Sequence, residues 1–95
     1  MKPLEFTHPG ILLKEVIDDM GLTAYRVCKE TGISNANLGK ILKGMRSITP
    51  DTALRLAKFF DVSENYFINL QRHYDVEKAK KLNTREYQKI RKYAA

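Results

Sequence analysis

The sequence has no tryptophan, one cysteine, three prolines and five glycines among its 95 residues, and no apolar run approaching the ~20 residues that a bilayer span needs. Each shortage excludes something. Cys28 alone cannot close an internal disulfide, and with His8 and His73 as the only histidines it cannot complete a Cys/His zinc site. No glycine-rich phosphate loop and no Ser/His/Asp or Cys/His arrangement is present, so the chain reads as neither an enzyme nor a cofactor protein. The stretch Met1 to Pro9 carries Lys2 with no apolar segment behind it, unlike a secretory signal, which predicts a cytoplasmic protein.

What is there suits a small globular chain: 43% apolar residues, 29% charged residues and a formal net charge of +6. The positive charge is unevenly placed. Residues 23–46 hold Arg26, Lys29, Lys40, Lys43 and Arg46 against Glu30, and residues 71–95 hold eight bases against three acids. The opening stretch is acidic, with Glu5, Glu15, Asp18 and Asp19 against Lys2 and Lys14. Two basic segments suggest a nucleic-acid face, because cationic side chains displace counterions from a phosphate backbone.

Helix signals punctuate the chain and predict an all-α fold, a compact bundle of about five helices. Pro9 opens a first helix over about 9–20, with Ile11, Leu12, Val16 and Ile17 at helical spacing and Gly21 as its stop. Thr23 caps a second over about 24–31, where Leu22 and Val27 form a staple and Gly32 ends it. Ser34 caps a third carrying Leu38, Ile41 and Leu42 inward, stopped by Gly44. Thr49 caps a fourth with Pro50 in its first position and Ala53, Leu54, Ala57 and Phe60 apolar, and Ser63 caps a fifth containing Tyr66, Phe67, Leu70 and Tyr74. A sixth starts at Asn83, with Glu86 in capping-box position and Tyr87, Ile90 and Ala94 on one side, as a stripe that packs on the domain or, alternatively, on a partner. Residues 1–80 are read as the domain and 81–95 as a basic extension whose Arg85, Lys89, Arg91 and Lys92 add affinity for phosphate.

The informative segment is 24–41, where two short helices meet at Gly32 across a turn of three to four residues. That is the spacing of a helix-turn-helix, whose second helix enters the major groove. Val27, Ile33, Leu38 and Ile41 supply the apolar lock, and Cys28 is the small residue where the helices approach closely. On a wheel of ~100° per residue, Ala36, Lys40 and Lys43 lie opposite the apolar face, Asn37 and Gly39 flank them, and Asn35 projects from the first turn. Asparagine can pair with adenine, lysine with guanine, and an alanine methyl can touch thymine, so Asn35, Ala36, Asn37 and Lys40 are the candidate base readers. Thr23, Ser34, Lys43 and Arg46 sit at helix ends and in the following loop, where phosphate contacts fix orientation.

Residues 8–75 resemble the Cro/repressor-type (XRE) helix-turn-helix family and, more narrowly, the HigA-type antitoxins. The resemblance is carried by His8-Pro9-Gly10, the helix-turn-helix, the run from Ile48 through Ala57, and Tyr66-Phe67-Ile68-Asn69-Leu70-Gln71 followed by Tyr74-Asp75. Three positions depart from the family pattern: Ala24 stands where a phosphate-contacting glutamine is usual, Phe67 where tryptophan is common, and Ile11 where glutamate is usual. The resemblance implies a dimer that represses its own promoter and neutralises a RelE-like ribonuclease toxin; a stand-alone regulator without a toxin is the alternative. One recognition helix spans only a few base pairs, so a two-fold dimer on an inverted repeat with half-sites ~34 Å apart is expected. Its contact is placed around Tyr66, Phe67, Leu70 and Tyr74. Glu5, Glu15, Asp18 and Asp19 are placed against the basic toxin, because complementary charge speeds encounter and disfavours wrong partners.

Overall fold

A computed structural model describes residues 7–94, and Glu5 lies outside them. Five helices and no strand occur among the described residues: α1 (Pro9–Asp19), α2 (Ala24–Thr31), α3 (Asn35–Leu42), α4 (Pro50–Phe60) and α5 (Tyr66–Gln88). No helix among them is long and apolar enough to cross a membrane, and no group of three metal-ligating side chains occurs among the described residues.

The expected caps close α2, α3 and α4. The Thr23, Ser34 and Thr49 hydroxyls accept from the backbone N–H groups of Arg26, Asn37 and Thr52 at 3.1, 3.1 and 3.3 Å. Each satisfies one of the donors that a helix start leaves without an intrahelical partner. His8 performs the same task for α1, its Nδ1 accepting from the Gly10 N–H at 2.9 Å. Burial holds the imidazole pKa below its ordinary value, and Lys78 pushes the same way while the Asp75 carboxylate opposes them.

The core gathers Leu13 and Ile17 from α1, Val27 and Cys28 from α2, Leu38, Ile41 and Leu42 from α3, Ala53, Leu56 and Ala57 from α4, and Phe67 from α5. Cys28 is the buried packing residue expected, and desolvation raises its thiol pKa. Two contacts fix the position of α3. A Cβ on Gly10 would lie 1.8 Å from the Ile41 carbonyl oxygen, so α1 and α3 touch backbone to backbone. Gly32, at φ 79°, ends α2 in the left-handed conformation that side chains disfavour, its N–H donating to the Cys28 carbonyl. Arg55 secures the same corner, donating to the Thr31 carbonyl and to Asp51, both at 2.9 Å.

Four sequence expectations need correction. Val16 on α1 is 42% exposed and Leu13 takes the core position, because the apolar stripe of α1 is wider than the surface it packs on. On α4, Leu54 is exposed and Leu56 is the buried residue. Asn65, not Ser63, precedes the first turn of α5, and it makes no capping bond; the Ser63 hydroxyl instead accepts from the Asn65 N–H at 3.3 Å. The sixth helix begins where expected, beyond a kink at Asn83, but it is shorter than expected and does not pack. α5 runs on through a single non-helical residue, Asn83 (φ −121°, ψ 17°), stops at Gln88, and leaves Tyr87 and Ile90 exposed, not packed on the domain. The cause is geometric: the domain lies under the first half of α5, where Phe67 and Gln71 are buried, and the second half projects past it. The molecule is accordingly elongated, 53 by 31 by 22 Å.

Candidate nucleic-acid interface

The first turn of α3 leaves the α2–α3 corner with Asn35 and Ala36 exposed, and Lys40 is exposed one turn further on. Leu38, Ile41 and Leu42 on the same helix are buried, so a rigid apolar seat presents the polar face. Lys43 ends the helix and Arg46 follows in the loop, both exposed. Thr23 and Ser34 are exposed at the starts of α2 and α3. A hydroxyl that accepts a capping bond still has its own proton to donate, so capping and phosphate contact are compatible in these two residues.

Asn37 is different. Its side-chain oxygen accepts from Arg46 Nη1 at 3.1 Å, and its amide nitrogen approaches the buried Thr52 hydroxyl at 3.5 Å. Thr52 in turn accepts from the Thr49 hydroxyl at 3.2 Å. The chain Thr49–Thr52–Asn37–Arg46 therefore ties the start of α4 to the middle of α3 and holds the Arg46 guanidinium beside the recognition helix. Both ends of the Asn37 amide are engaged, which makes it a positioning group for Arg46, whereas Asn35 and Lys40 have no such tie to α4.

Tyr25, which the sequence did not single out, lies on this surface too, beside Lys29 of the basic segment 23–46. Tyr25, 66% exposed, and Lys29 line a shallow recess of about 280 Å³ together with Cys28, Ile33, Ser34 and Asn35. The signal was available: both lie on the side of α2 away from the buried Val27, and an exposed aromatic next to cations suits contact with a sugar–phosphate backbone. Ala24, at the first position of α2, offers only a methyl group there.

Residues 13–67 match the helix-turn-helix family. The chain belongs to that family. This helix-turn-helix protein is 38% identical over 73 residues to virulence-associated protein I of Dichelobacter nodosus, a match covering 76% of this chain and 68% of that protein. Its structure is similar to that of an addiction module antidote protein of the HigA family from Coxiella burnetii, with TM-score 0.83, 37% identity, and coverage of 93% of this chain and 98% of the other. A second similar structure is the Pseudomonas aeruginosa antitoxin HigA with the higBA promoter, with TM-score 0.83, 26% identity, and coverage of 94% and 99%. In the helix-turn-helix protein described here, α2 and α3 are the two helices of the motif, and Gly32 sits in the turn between them.

The remaining expected site residues lie elsewhere on the helix-turn-helix domain. Glu15 and Asp19 border a groove between α1 and the start of α5, whose apolar lining includes Tyr66, Phe67 and Leu70. Residues assigned to two different partners thus share one surface. Asp18 is engaged separately, in an ion pair with Lys14 at 2.8 Å. Phe67 is a core residue, its ring 6.0 Å from that of Phe60, so little of it is exposed in the groove. Tyr74 is absent from the groove lining; its ring lies 5.1 Å from His8, with Lys78 Nζ at 5.8 Å from its centroid.

Proposed function

We propose that the chain is a sequence-specific DNA-binding antitoxin that represses its own operon and neutralises a RelE-like ribonuclease toxin. The observation that carries the DNA-binding part is the recognition helix itself. Its polar face is exposed and capped, it is seated on a buried apolar face, and cations lie at its end and in the next loop. In this reading Asn35, Ala36 and Lys40 read base edges, Asn37 positions Arg46, and Thr23, Ser34, Lys43 and Arg46 hold phosphates. Two copies bind an inverted repeat, with the dimer contact on the α5 side at Tyr66 and Leu70. The likeness to HigA-family antidote proteins supports the second part, with Glu15 and Asp19 as the residues of α1 that face a basic toxin.

The test has two arms. Purified protein is titrated against its own promoter and against random DNA of equal length, and specific binding should exceed non-specific binding by at least 10³-fold. The neighbouring gene is then expressed alone and together with this one. Growth arrest relieved by this protein supports the antitoxin reading; arrest left unrelieved, with promoter binding intact, leaves a plain repressor.

A further inference from the structure

Two unpartnered surfaces of this chain are complementary. The groove between α1 and the start of α5 encloses about 520 Å³; no cation lines it, and Glu15 and Asp19 are its charged members. Val16 and Met20 stand on its wall 42% and 59% exposed, an apolar surface that no described residue of the same copy covers. The other surface is the C-terminal arm, residues 82–94, which projects beyond the domain. It carries Leu82, Ile90 and Tyr93 at 70%, 71% and 91% exposure, among Arg85, Lys89, Arg91 and Lys92 with Glu86 the lone acid.

We infer that in the toxin-free dimer the arm of one copy docks in the groove of a second copy, its apolar side chains covering Val16 and Met20 while its cations face Glu15 and Asp19, the two carboxylates a toxin would compete for. Burial of apolar surface supplies the affinity, and the charges set orientation and choice of partner. Reach decides between a copy's own groove and its neighbour's. The groove flanks the first turns of α5, and the rise from Leu70 to Gln88 is about 27 Å at 1.5 Å per residue. The stretch from Gln88 to Tyr93 extends at most about 18 Å. With α5 intact, Tyr93 falls short of its own groove, so a second copy must supply the arm. The inference rests on the dimer reading above and adds that the dimer exchanges arms reciprocally, as a two-fold interface requires.

The test combines sedimentation equilibrium with cysteine cross-linking of the full chain. In a Cys28→Ser background, Met20→Cys with Tyr93→Cys should give disulfide-linked dimers on non-reducing gels. The charge reversal Glu15→Lys with Asp19→Lys should raise the dimer dissociation constant at least tenfold. Adding Lys89→Glu, Arg91→Glu and Lys92→Glu to the same chain should restore it, an outcome that a folding defect would not give. Truncation after Gln88, with helicity checked by circular dichroism, should weaken the dimer to the same degree. An intrachain disulfide, or a dimer of unchanged strength after truncation and charge reversal, overturns arm exchange and leaves the dimer reading standing. A wild-type monomer at micromolar concentration overturns both.

Discussion

His8 is a helix cap whose protonation state matters. Its neutral Nδ1 accepts the Gly10 N–H, and a proton placed there would turn the acceptor into a second donor. Because burial lowers the folded-state pKa, the unfolded chain binds this proton more tightly. The stabilisation is therefore complete above the ordinary imidazole value of about 6.5 and is lost as pH falls through the lower folded value. Thermal midpoints should drop between pH 7.5 and 5.5, and His8→Asn, which keeps a capping oxygen, should flatten that dependence. The two polar residues of α3 should separate in the same kind of detail. Lys40→Ala should cost about 1–3 kcal/mol of discrimination at one base position with thermal stability unchanged. Asn37→Ala, which releases Arg46 and removes the link to Thr52, should lower the thermal midpoint and weaken binding to all sequences alike. Equal losses on operator and random DNA for both variants would remove Lys40 as a base reader.

Among the elements, the starts of α1 to α4 were legible in the sequence because each has a local cause: Pro9 and Pro50 in first positions, and Thr23, Ser34 and Thr49 as caps. The start and end of α5 were not legible. The Asn65 side chain makes no capping bond to the first turn, and the periodicity around Tyr87 and Ile90 shows an apolar stripe without showing that nothing lies beneath it. The tie from Asn37 to Thr52 was hidden for the same reason, since it joins residues brought together only by packing of the helices. Gln71 is a further example. It is buried on α5, and its side-chain oxygen accepts the Ile48 N–H at 2.8 Å while its amide donates to Asp75 at 2.9 Å. It therefore fastens the loop after the recognition helix to α5. Gln71→Ala should destabilise the fold by about 1–3 kcal/mol, the cost of leaving a buried donor without a partner, as measured by urea unfolding with an unchanged m-value.

For the whole molecule, symmetry multiplies each contact. A phosphate contact contributes about 0.9 to the slope of log affinity against log salt, so in a two-fold complex Arg46→Ala should flatten that slope by about 1.8. A change near 0.9 would mean that one copy engages DNA. The contact of Gly10 with Ile41 bears on how the fold comes apart. With no side chain between them, the first turn of α1 and the last turn of α3 have no soft layer to absorb a separation, and His8 fastens that turn of α1. Opening either end should expose the other, so the amide hydrogens of Leu12 and Met45, which donate to the carbonyls of His8 and Lys40 and report on the two turns, should exchange with deuterium at one shared opening free energy. Gly10→Ala should split that shared value into two, making the recognition helix lose protection before the rest of the domain.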